Sequence, residues 1–173
     1  IRLTVSLQEL FSLQKRGALG LLYVGLIPLF VISLLSLSNG VAWFITYIFI
    51  IFAIDTFGYF GGMAFGRHKL FVEVSPNKTL MGALFGVFGA MIFAGLGHFF
   101  LLPHIPLLPL LSGALLTSVF AQTGDLFMSL QKRVAEVKDT GSVIPGHGGF
   151  LDRLDGLFFA GPVFYTIALF LHR

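Results

Sequence analysis

The chain predicts an all-α polytopic membrane bundle with about five transmembrane helices, its chemistry carried by loops on one face. Three observations lead there. Hydrophobic residues make up 56% of the 173 residues and charged residues 11%, against about 25% charged in soluble domains. A stretch of 46 residues, 79–124, contains no Asp, Glu, Lys or Arg. The charge that remains is gathered: the 31 residues from Asp125 to Asp155 hold nine of the 19 Asp, Glu, Lys and Arg residues. At about 20 residues per crossing, the chain has room for five spans, and one bundle makes 1–173 a single membrane-embedded domain.

The first span is read at 17–38, which is uncharged. The second, 41–59, follows a tight Asn39-Gly40 turn and contains one charge, Asp55. As one helix, 79–124 would run about 69 Å, over twice a bilayer core, so Pro103-His104-Ile105-Pro106 is expected to break it into spans 80–102 and 107–130. The last span is 154–171. Gly82, Gly86, Gly89, Gly95 and Gly97 suit close helix approach. Trp43 and Tyr23 are expected as interfacial anchors or lipid-facing residues, and His98 and His104, away from the charged cluster, as structural.

With five spans, ten of the eleven Lys and Arg residues fall on one side, and only Arg173 lies opposite. The positive-inside rule makes that side cytoplasmic. The connections on the other side, Asn39-Gly40 and 103–106, carry no charge. The absence of cysteine rules out disulfides and thiolate metal sites, leaving oxygen and imidazole ligands that favour Mg²⁺ or a similar hard cation.

Asp55 and Asp125 lie within spans, toward the cytoplasmic end, where a carboxylate costs a few kcal/mol and calls for a reason. Asp125, Ser129 and Lys132 follow helical spacing and share one face, in a pattern suited to a metal and a phosphate. Asp152 and Asp155 open the last span, where helix capping is the plain reading. If Asp152 faces Asp125 across the bundle, the two form a carboxylate pair for Mg²⁺, with Arg153 able to pair with either neighbouring aspartate. The glycines of Gly146-His147-Gly148-Gly149 permit close backbone approach to an anion; a plain turn is the alternative. Ser75, Lys78 and Thr79, just before a helix, suit phosphate binding or simply a helix start.

In order and spacing, Ser129, Lys132-Arg133, Lys138-Asp139, Pro145, His147-Gly148-Gly149, Asp152-Arg153 and Asp155 resemble the signature of CDP-diacylglycerol synthases (phosphatidate cytidylyltransferases). Asp55 through Gly62 with Phe65-Gly66, and Ser75 through Thr79, look like two further blocks of that family. Leu80-Met81 departs from it, since relatives often carry a polar or acidic residue there. The resemblance covers Asp55 to the C-terminus and implies that this chain corresponds to the catalytic C-terminal portion of a longer member. It implies transfer of a cytidylyl group from CTP to phosphatidate, with Mg²⁺ and possibly a second cation, in a homodimer with its site on the cytoplasmic side of a bacterial inner membrane. It implies Asp125 and Asp152 as the metal centre.

The expected division of labour follows. Lys132, Arg133 and Lys138 hold triphosphate oxygens or the lipid phosphate. Ser75, Lys78 and Thr79 line the nucleotide end. His147, Gly148 and Gly149 close the site, and Asp139, Asp155 and Asp55 order the cations or extend the metal shell, with Ser129 and Arg153 as further substrate contacts. A CTP-dependent polyprenol or phytol kinase and a CDP-archaeol synthase are the near alternatives. An ion-coupled transporter is the distant one, disfavoured because the charges gather at one face and mark no crossing path.

Overall fold

The computed structural model describes residues 20–137, 140, 141, 149 and 151–172, without the side chains of Leu26 and Arg153. Lys138, Asp139, His147 and Gly148, all expected at the site, lie outside the described residues.

The first segment is helical in three pieces: a π-turn Leu22–Leu26, α1 (Ile27–Ser33) and a 3₁₀ turn Leu34–Ser36. Pro28 accounts for the wide turn before it. It has no N–H, its ring crowds the carbonyl four residues back, and the Ile27 N–H closes onto Leu22 O instead. Asn39 then turns the chain at φ 56°, a left-handed conformation that asparagine tolerates better than most residues. A Cβ at Gly40 would fall 2.4 Å from the Leu35 carbonyl oxygen, so the turn expected at Asn39-Gly40 is sterically specified.

Four long helices follow: α2 (Gly40–Phe65), α3 (Leu80–Phe100), α4 (Leu107–Val134) and α5 (Leu151–Leu171). Each contains a stretch long and apolar enough to cross a membrane, so this is an integral membrane bundle. The break between α3 and α4 falls at the proline cluster, where Leu102 and Ile105 are buried and His98 Nδ1 lies 2.9 Å from Ile105 O. His104 Nε2 lies 3.2 Å from Asn39 Nδ2, so both histidines are structural, as expected. The first segment is shorter than the others but follows α5 from end to end. Tyr23 reaches Asp155, Phe30 packs on Tyr165, and Ser38 reaches the His172 carbonyl.

Two expectations are corrected. Trp43 is fully buried, edge-on to Phe164 at 6.0 Å, and Tyr23 is buried with its hydroxyl donating to the Asp155 carbonyl at 3.0 Å; neither faces lipid. Tyr47, stacked on Phe164 at 4.8 Å, donates to the Leu157 carbonyl. Both tyrosines thus reach carbonyls in the turns of α5 that precede Pro162, where a proline disturbs the helical ladder. Burying a phenol is favourable when its hydroxyl finds such a partner.

The closest helix pair is α2 against α3. A Cβ at Gly82 would lie 2.8 Å from the Gly58 carbonyl oxygen, so the two backbones meet where any larger residue would force them apart. The α4–α5 crossing is also tight: a Cβ at Gly124 would lie 2.3 Å from Phe159 Cβ and 3.2 Å from Asp155 O. These contacts bring the aspartates of three helices to one end of the bundle.

Between α2 and α3 the chain forms an antiparallel hairpin, β1 (Lys69–Phe71) and β2 (Ser75–Thr79), with Lys69 opposite Thr79 and Phe71 opposite Ser75. It was not expected from the sequence. The Leu80 N–H to His68 O bond, at 3.0 Å, closes it onto the start of α3.

Candidate active site

A cavity of about 600 Å³ opens at the charged end of the bundle between α2, α3, α4 and the hairpin. Asp55, Ser75, Lys78, Thr79 and Asp125 line it together, so residues 70 positions apart in sequence share one wall. Its volume lies within the range of small-ligand sites. The glycines of the α2–α3 seam form part of the lining, where they leave room that side chains would fill.

Each polar residue is placed by its element. Thr79 caps α3, its hydroxyl accepting from the Gly82 N–H at 3.1 Å, which orients β2 and so Lys78. Lys78 forms an ion pair with Asp125 of α4. The Asp125 side chain keeps 38% of its surface exposed, so it is available to a ligand in the cavity. Asp55 of α2 lines the same space and is exposed.

A second cluster sits at the α4–α5 crossing. Lys132 Nζ donates to Asp152 Oδ1 at 2.7 Å. Asp152 Oδ2 accepts from the Thr140 N–H at 2.8 Å, the Thr140 hydroxyl at 3.0 Å and the Gly149 N–H at 2.9 Å. Burial alone would raise the Asp152 carboxyl, yet Lys132 and these three donors hold it at about 2, because each bond favours the ionised form. The carboxylate therefore ties Thr140 and Gly149 to α5. Gly149 is sterically required here, since a Cβ would fall 2.3 Å from the Thr140 hydroxyl.

Asp155 joins the clusters. It is buried, its carboxylate accepts from the Gly156 N–H at 2.7 Å, and it lies within electrostatic reach of Asp125, Lys132 and Lys78. The sequence left open whether Asp152 faces Asp125. In the structure each holds a lysine, and Asp155 is the α5 carboxylate coupled to Asp125. Arg133 reaches instead to the hairpin turn, its Nε donating to Val74 O at 3.4 Å. Ser129, one turn past Asp125, is partly buried on α4. Arg153 occupies the first turn of α5.

Sequence reasoning missed Gln122 and Tyr23. Gln122 stands three residues before Asp125 and lines the cavity; helical spacing from Asp125 would have found it, but an uncharged side chain attracted no notice. Tyr23 had no signal, because its contact with Asp155 spans 132 positions.

Fold and site together define a polytopic membrane protein with one lysine–aspartate pair on the wall of a cavity and a second between α4 and α5, an arrangement suited to phosphate groups. The Cytidylyltransferase family profile matches residues 4–171, and the chain belongs to that family. It is 37% identical to a phosphatidate cytidylyltransferase of Bacillus subtilis, over 96% of this chain and 64% of that protein. It is 36% identical to one of Rickettsia felis, over 83% of this chain and 66% of that protein. With one of Staphylococcus aureus it shares 38% identity, over 73% and 48% respectively. The chain thus spans less than two thirds of the length of each of these relatives.

Proposed function

We propose that this chain carries cytidylyl transfer from CTP to phosphatidate in phospholipid biosynthesis, on the cytoplasmic side of the membrane. One observation supports this most: Lys78 and Asp125 form an ion pair on the wall of a cavity at the end of a membrane bundle, and a second pair, Lys132 and Asp152, joins α4 to α5. The resemblance and the names of the relatives supply the substrates.

The reaction joins a phosphate oxygen of phosphatidate to the α-phosphorus of CTP and breaks the bond to the β-phosphate, releasing pyrophosphate. The nucleophile is largely ionised near neutral pH, since a phosphate second pKa lies near 6, so no general base is required. The obstacle is bringing two polyanions together. Lys78 and Lys132 lower that repulsion, each able to exchange its aspartate for a phosphate oxygen, and Arg133 and, by the resemblance, Lys138 add further cationic partners for the phosphates. Ser75 and Thr79 lie beside Lys78 at the nucleotide end. Helix ends at the membrane surface let the lipid tails remain in the bilayer while the headgroup reaches the cavity, which fixes the reacting groups relative to one another.

The donor set fits a hard cation through Asp125, whose half-exposed carboxylate opens on the cavity. Asp152 fits once Lys132 releases Oδ1. Among the described residues no three Asp, Glu or His side chains form a metal cluster, and Mg²⁺ commonly uses one or two carboxylates with substrate phosphates and water. Asp125 and Asp152 are the residues that would hold Mg²⁺, which when bound supplies charge neutralisation at the phosphates. Asp125→Asn and Asp152→Asn are each expected to lower turnover at least about 100-fold while the circular-dichroism spectrum stays helical. Near-normal turnover in either variant at saturating Mg²⁺ removes that residue from the metal site.

A further inference from the structure

Gln122 is a polar cavity residue that no role above uses. It lies three residues, about 4.5 Å along the helix axis, further than Asp125 from the charged end, where Ile51, Ile54 and Ala121 make the lining apolar. Its amide nitrogen donates to the Ala83 carbonyl at 3.3 Å and to Ser118 Oγ at 3.0 Å. A primary amide has two N–H donors, and both are used. Ala83 O only accepts, so it fixes which way the amide points. Oε1 is left with its lone pairs and is not sealed in. The fully buried side-chain N and O atoms without a hydrogen bond, among the described residues, belong to Trp43, Thr46 and Lys78. The amide of this cavity-lining residue is thus locked by α3 and Ser118, with Oε1 left as its unused acceptor.

We infer that Gln122 is a specificity-determining residue, its Oε1 accepting a hydrogen bond from a donor on the base or sugar of the nucleotide. The inference rests on the CTP and phosphatidate reading above. The chemistry of the two substrates decides between them. The glycerol esters of phosphatidate only accept hydrogen bonds, and its phosphate is largely ionised. The nucleotide carries an exocyclic amine and ribose hydroxyls, all donors. In an apolar surround an acceptor left unpaired is costly, which makes it selective against analogues lacking the donor.

The test uses purified full-length protein, with steady-state KM for CTP and competition constants for UTP, 2′-deoxy-CTP and 3′-deoxy-CTP. Gln122→Met is expected to raise the KM for CTP at least about tenfold, with the Mg²⁺ concentration for half-maximal rate unchanged. For the one analogue that lacks the contacted donor, variant and wild type should give the same competition constant, which distinguishes base from sugar. Ser118→Ala, which removes one anchor of the amide, should produce a smaller change of the same kind. Gln122→Glu keeps an acceptor, and should discriminate among the analogues better than Gln122→Met; it serves as the test should Gln122→Met not fold. An equal penalty on every analogue, an unchanged KM, or a shift confined to the Mg²⁺ requirement overturns the inference while leaving the reaction standing. A wild-type protein that does not turn over CTP overturns both.

Discussion

Glu136 turns the chain at φ 55° just beyond α4. Its N–H bonds to Arg133 O and that of Val137 to Lys132 O, the double closure of a Schellman motif. Glycine is the usual residue there, because a Cβ in the left-handed region costs about 1 kcal/mol or more. Glu136→Gly is therefore expected to raise stability by about 0.5–1 kcal/mol after the extra chain entropy is offset, read as a higher Tm in detergent. A lower Tm would show that Glu136 does not hold this turn. No sequence signal marked it, since glutamate is a poor predictor of positive φ. Residue placements divide in the same way. Asp125 and Lys132 were legible from helical spacing alone, but their pairing with Lys78 and Asp152 depends on how the helices rotate and cross, which spacing along one helix does not contain.

Among the elements, boundaries set by local sterics were legible. The Asn39-Gly40 turn and the proline break between α3 and α4 fall where expected, because proline and glycine act on their own neighbours. Helix α2 runs six residues past its expected end at Tyr59, for a tertiary reason: Gly61 and Gly62 meet Phe85 and Thr79 of the neighbouring chain segment, and that packing sustains helix through residues of low intrinsic propensity. The hairpin was missed for a related reason: β2 begins Ser75-Pro76-Asn77, and proline and asparagine are depleted in strands, so its pairing is fixed by the ends of α2 and α3, with Arg133 reaching the turn at Val74. Thr79 shows how a helix start and a site residue coincide: as the α3 cap it holds the backbone that presents Lys78.

Across the whole molecule, composition and the gathering of charge revealed the membrane bundle and the end at which its polar groups meet. They did not reveal the cavity, which exists because glycine seams draw α2 to α3 and α4 to α5 while the hairpin bridges the open side. The proposed cytoplasmic orientation follows from the basic residues at that end. Because the chain has no cysteine, single cysteines at Asn77 and at His104 report orientation directly. In sealed cells an impermeant maleimide should label the His104 position and spare the Asn77 position; the reverse pattern would invert the topology.

Catalysis is tested most directly by supplying purified full-length protein, in lipid with Mg²⁺, with CTP labelled in the cytidine and with phosphatidate. The account predicts label appearing in a lipid-soluble product with one pyrophosphate released per label transferred. Release of CDP with an unlabelled, phosphorylated lipid, or no transfer at all, would contradict it.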